Sequence, residues 1–175
     1  HFHDIRNTTP YAEAPLGSTV SRTFDSNYRP SLSVDSLGHP TTMTWNSNGA
    51  VLTGVVNALN QTTQMGYDSL NNLTQVVDAR SLTTTYAYSG TLLTEGVDAL
   101  GATTRYTYTA AGQLEAVSDP LGRTTSYTYN ALGQRETMTD AQERTTTYAY
   151  DDQGRLQTVT GPDGRANWTC SNAAG

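Results

Sequence analysis

Two groups of residues in this sequence have the type and spacing to do chemistry. The first is an acidic comb: Asp35, Asp78, Asp98, Asp119 and Asp140, with Asn57 in the same place. Carboxylates do acid–base work when two of them converge and are tuned apart. A comb of identical groups instead spaces them about 10 Å apart across two strands. Each Asp is therefore read as the cap of its own turn. The arginine four residues on (Asp119/Arg123, Asp140/Arg144) makes a turn-spanning ion pair. The second group is scattered. His1 and His3, with Asp4, have a spacing that metals use, but they sit in a terminal arm; His39 stands in a turn; Cys170 has no histidine in neighbouring copies to activate it. Asn7, Asn60, Asn72 and Asn167 each begin a glycosylation sequon. No catalytic, cofactor-binding or metal-binding residue is assigned.

The elements that carry these groups are repeats. Asp119 to Tyr150 reads D-P-L-G-R-T-T-S-Y-T-Y-N-A-L-G-Q-R-E-T-M-T and then begins again, with a period of 21 residues. Such a period marks an array of one small unit. A row of aromatics sets the register: Phe24, Trp45, Tyr67, Tyr88, Tyr108, Tyr129 and Tyr150, at gaps of 21, 22, 21, 20, 21 and 21. The acidic comb lies ten residues before its aromatic in each copy. About seven and a half units cover 14–175. Residues 1–13 form an N-terminal arm or the end of a preceding unit.

Within a unit, Thr124 to Tyr129 alternates with period two, and threonine and tyrosine are strand formers. Turns follow at Gly112, Gly133 and Gly154, where glycine can take positive φ, and at Asp119-Pro120-Leu121-Gly122. Connections this short force antiparallel neighbours. The expectation is all-β: tandem hairpins of about 21 residues in one continuous antiparallel meander of roughly fourteen strands, curved into a shell or tube. At about 4.8 Å per strand the ribbon is on the order of 65–70 Å wide. The second strand breaks the alternation. Leu114 and Val117, Leu73 and Val76, and Leu156 and Val159 are each three apart, so either a bulge intervenes or both faces are partly covered.

Composition narrows the class. Hydrophobic residues are 35%, charged residues 15%, and eleven tyrosines are the largest apolar payload. A tyrosine ladder suits a half-wet face, and threonine pairs line the other. There is no lysine, and the net charge of −6 argues against nucleic acid or an anionic membrane as partner. No apolar run of membrane-spanning length occurs. One cysteine makes no internal disulfide framework.

Tyr67-Asp68, Tyr150-Asp151, the trailing Gly154-Arg155-Leu156 and the stretch Asp119 to Thr125 resemble the Rhs/YD-repeat family over almost all of the chain from residue 14. The resemblance implies a β-ribbon wound into a hollow shell. Such shells enclose a toxic C-terminal domain in bacterial Rhs proteins and Tc-toxin C components, and form the extracellular barrel of teneurins. The family's self-cleaving aspartate core is not matched; Asp119-Pro120 is the repeat turn.

The expected function is a structural, non-catalytic β-shell segment of a secreted or cell-surface protein, for scaffolding or encapsulation, with no cofactor. Its partners would be further repeats of the same or an identical chain, and an encapsulated toxin domain or a surface glycan. The rival readings are a filament or adhesive fibre built by strand pairing between subunits, and a carbohydrate-binding wall whose tyrosines and arginines stack on sugars.

Overall fold

Threonine, tyrosine and valine at alternate positions, punctuated every few residues by turn formers, fold as strands and nothing else. The computed structural model describes residues 20–169, with side chains to 166. Two units divide the chain at Tyr86/Ala87. The first holds β1 (Ser21–Phe24), β2 (Pro30–Val34), β3 (Pro40–Trp45), β4 (Leu52–Val56), β5 (Thr62–Tyr67), β6 (Leu73–Val77) and the start of β7 (Thr83–Ser89). The second holds the end of β7 and then β8 (Leu92–Val97), β9 (Thr103–Tyr108), β10 (Leu114–Ser118) and β11 (Thr124–Tyr129). It continues through β12 (Arg135–Thr139), β13 (Thr145–Tyr150), β14 (Leu156–Thr160) and β15 (Ala166–Thr169). Sheet order is chain order, and the paired neighbours are antiparallel.

One connection recurs at most of the turns; the β3–β4 loop is a residue longer and the β7–β8 turn has only Gly90 and Thr91 between its strands. In Asp119–Arg123 the Asp119 N–H donates to the Arg123 carbonyl (3.0 Å) and the Gly122 N–H to the Asp119 carbonyl (2.9 Å), with Gly122 at φ +78°. That is a three-residue hairpin loop closed by a left-handed residue. Asn130–Gln134 repeats it with Gly133 at φ +78°. Where the glycine is missing, Tyr28, Asn60, Asn71, Ser81 and Glu143 take the same conformation, at a steric cost glycine avoids.

A bulge, one of the two alternatives left by the three-residue spacing, accounts for it. Tyr108 pairs with Leu114 and Thr107 with Ala116, so Glu115 is an extra residue. Glu136 and Gln157 are extra in β12 and β14, and Thr53 and Thr74 in β4 and β6. Because Val117 pairs with Tyr106, and Leu114 with Tyr108, the bulge returns Leu114 to the face of both tyrosines. One face of the second unit thus carries Tyr106, Tyr108, Leu114, Val117, Tyr127, Tyr129, Met138, Tyr148 and Tyr150. The other carries hydroxyls: Thr128–Thr137 (2.7 Å), Thr139–Thr145 (2.9 Å) and Ser118–Thr124 (2.8 Å).

No hydrophobic side chain is fully buried among the described residues. The tyrosines of the second unit are half-buried by their strand neighbours. A domain ordinarily packs a second layer on such a face, and within neither unit do the described residues supply one.

Candidate functional site

The turns are built from their first residue. The Asp119 Oδ1 accepts from the N–H groups of Leu121 (2.9 Å) and Arg123 (2.9 Å), which spends the carboxylate on the loop backbone. The Oδ2 takes the Arg123 guanidinium through Nε (2.6 Å) and Nη2 (2.6 Å). Asp140 does the same with Gln142 and Arg144, the latter through Nε (2.8 Å) and Nη2 (2.6 Å). The Arg123 and Arg144 side chains, followed by the loop N–H groups, hold the Asp119 and Asp140 carboxyls below the ordinary carboxylate value. Asp78 is lowered first by the Leu82 N–H, then by Arg80. Asp35 is lowered first by the His39 N–H, and His39 Nδ1 lies 3.1 Å from its Oδ2. Asp98 caps through the N–H groups of Leu100 (2.8 Å) and Ala102 (2.8 Å).

A second comb follows five of the seven ladder aromatics. Asp25, Asn46, Asp68, Asn130 and Asp151 all accept from N–H groups further along their own turns. Its signal lies in the sequence, as an Asp or Asn directly after the aromatic. From the end of this turn Gln113 Nε2 reaches the Gly133 carbonyl (2.6 Å) and Gln134 Nε2 the Gly154 carbonyl (2.7 Å), each 20 residues on. The glycines make room: a Cβ at Gly133 or Gly154 would crowd the glutamine at 3.3 or 3.2 Å.

The ladder aromatics bind backward. Tyr129 Oη donates to the Leu114 carbonyl (2.7 Å), Tyr150 to Arg135 (2.9 Å), Tyr108 to Leu93 (2.8 Å) and Tyr67 to Leu52 (2.9 Å); Trp45 Nε1 donates to Pro30 (3.0 Å). Every acceptor lies 15 residues back, and Pro30, Leu52, Leu114 and Arg135 each stand just before the extra residue of the previous hairpin. The reason is local. β10 and β11 pair only from Ala116/Ser126 to Ser118/Thr124, so the Leu114 carbonyl has no strand partner on that side. The ring spans the gap and its hydroxyl fills it. Tyr88 is half-buried on β7, and Phe24, with no polar atom to donate, is 37% exposed.

The acidic comb does not converge. A shallow cavity of about 340 Å³ lies between the turns at 119–123 and 140–144, with Val117 and Thr125 at its floor. Its carboxylates, Asp119 and Asp140, are each closed by their own arginine. Nothing there is poised as a free base or nucleophile. Among the described residues no three His, Cys, Asp or Glu side chains converge as a metal site needs. Of the sequons, Asn60 sits at φ +58° in a turn, and the Asn72 amide donates to Asp68 Oδ2 (2.8 Å). Residues 1–13 with His1, His3, Asp4 and Asn7, the first repeat turn at 14–17, the Asn167 side chain and Cys170 lie outside the described residues.

Repeats, turns and sheet together define a class of tandem β-hairpin arrays. The RHS Repeat family profile matches residues 45–83, 89–120, 108–142 and 135–166, more than half of the chain, and the protein belongs to that family. No curated protein matches. Among solved structures the chain is similar to the crystal structure of TcdB2-TccC3 (TM-score 0.70, 17% identity, 89% of this chain and 10% of that one). It also resembles TcdB2-TccC3 without its hypervariable C-terminal region (TM-score 0.52, 16% identity) and TcdB2-TccC3-Cdc42 (TM-score 0.52, 17% identity). Each of these two matches covers 85% of this chain and 10% of the other. The chain thus spans about a tenth of the length of the structures it matches, and the likeness is one of fold.

Proposed function

We propose that this chain is wall material: a non-catalytic segment of a β-shell, in a secreted or cell-surface protein, whose task is to scaffold or enclose a polypeptide. In this reading 14–175 is one array of about 21-residue units, 1–13 is an arm or the end of a preceding unit, and the aromatic row with its two rows of turns is structural. The observation that carries it is the hydroxyl bond that joins each hairpin to the one before. The bond recurs at 15-residue separation at Tyr67, Tyr108, Tyr129 and Tyr150. A device that links unit to unit extends a wall by addition. A catalytic constellation would need convergence, which the turn carboxylates lack. Enclosure as the purpose is supported by the family and by the fold shared with TcdB2-TccC3.

The test is negative-stain imaging with size-exclusion chromatography of this chain extended at both ends by further units of its own sequence. Curved, closed particles of fixed size are expected. Long unbranched polymers would show instead that subunits join by strand pairing into a fibre.

A further inference from the structure

Arg135 breaks a rule that every other arginine of the second unit obeys. Arg105, Arg123, Arg144, Arg155 and Arg165 each lie against an Asp or Glu. Arg135 has no carboxylate within ion-pair distance among the described residues. Its position is also unusual. It pairs with Tyr129 where Leu114 pairs with Tyr108 and Leu156 with Tyr150, so a guanidinium stands in the leucine row of the aromatic face. The group is exposed and lies over the Tyr148 ring at 4.2 Å, with Tyr127 at 6.0 Å. Stacking on rings orients a guanidinium without using its N–H fork, which stays free for a planar acceptor.

We propose that Arg135 is the charge anchor of a docking surface for an extended polypeptide segment bearing a carboxylate. The partner's acidic side chain would take the guanidinium fork, and its apolar side chains would cover Leu114, Met138 and Leu156. Charge complementarity selects the acid. The aliphatic row on either side selects a polypeptide over a sugar, because leucine and methionine side chains gain from apolar cover that a hydroxylated ring does not give. The inference rests on the enclosing-wall reading and names what the wall would hold. Its test leaves wall formation aside, so either can fail alone.

The probe is a capped peptide of alternating leucine and serine with one central glutamate, alongside a twin carrying glutamine. Both are titrated into the whole chain at low salt, with affinities read from backbone amide resonances of residues 114–156 in every variant and the Arg135 Nε–H resonance followed where arginine is present. The glutamate peptide is expected to bind about three- to tenfold tighter than its twin, as a partly exposed charged hydrogen bond allows. Arg135→Leu restores the residue of the neighbouring repeats, so the fold is retained; it should erase the preference while still binding the glutamine twin. Arg135→Lys should keep part of the preference. Equal affinities, no binding of either peptide, or a preference that survives Arg135→Leu would overturn the proposal. So would an oligogalacturonate that shifts the Arg135 resonance when the glutamate peptide does not, since the occupant would then be an acidic sugar.

Discussion

Each interior strand of the array belongs to two hairpins, and the two are made differently. β9 and β10 are joined by Thr109–Gln113 and pair over four positions, Arg105 to Tyr108, with a bulge at Glu115. β10 and β11 are joined by Asp119–Arg123 and pair straight, over three positions, before they part. The loops are the same, with the same two backbone bonds and a glycine at φ +78° in each. Turn chemistry therefore does not distinguish the hairpins; the strand residues do. The bulge keeps Leu114 on the aromatic face but frees its carbonyl, and Tyr129 of the next hairpin supplies the missing donor. Irregularity in one hairpin is what fastens the next one to it.

The strongest way to break that comparison is to delete Glu115. Without the extra residue Leu114 and Val117 stand two apart, so alternation alone keeps both on the tyrosine face, but β10 and β11 can then pair on to Leu114 and the Tyr129 hydroxyl loses its acceptor. A loss of about 1.5 kcal/mol is expected in denaturant unfolding, from the broken bond. An unchanged midpoint would mean that the bulge is incidental.

Acid should act on both kinds of hairpin, because carboxylates cap loops of each kind, Asp68 and Asp151 in one and Asp119 and Asp140 in the other; the Thr109–Gln113 loop is capped by a threonine hydroxyl instead. The folded pKa values of Asp25, Asp35, Asp68, Asp78, Asp119, Asp140 and Asp151 are depressed. The stability they contribute is complete above the unfolded value of about 3.9 and is lost as pH falls through the lower folded values. Melting temperature should thus be flat between about pH 7 and 5 and fall below about pH 4. A decline that began near neutrality would implicate other groups.

Tyr129→Phe separates the two tyrosines of a strand. It removes the bond to Leu114 and should cost about 1 kcal/mol, while Tyr127→Phe, whose hydroxyl makes no such bond, should cost a few tenths. Equal costs would demote the hydroxyl to a bystander of ring packing. The smallest effect expected is a gain. Glu143 holds φ +61° where neighbouring loops have glycine, so Glu143→Gly should raise stability by about 0.5–1 kcal/mol, read as a shift in the unfolding midpoint.

Much of this could be read from residue order. Tyr127 and Tyr129 share a face because strand side chains alternate, and Asp119 ten residues ahead of Tyr129 falls in a turn because the spacing leaves room for one strand between them. The second row of caps, at Asp68 and Asp151, was equally legible beside its aromatics. The choice between a bulge and two covered faces was not, since Leu114 and Val117 at a spacing of three satisfy both. Nor did the sequence show that Arg135 stands over Tyr148, because that contact joins strands whose mutual offset depends on where the extra residue sits.

What the sequence determined alone is whatever depends on neighbours in the chain: strand period, loop type, and the antiparallel return that short loops compel. The tertiary structure alone decided how one hairpin meets the next, which tyrosine hydroxyl finds a carbonyl, and that among the described residues of either unit no second layer covers the aromatic face. Those outcomes depend on register between strands. Loop length and the apolar pattern fix the register inside a hairpin, but where the extra residue falls, and so how the next strand is offset, depends on packing between paired strands rather than on neighbours in the chain.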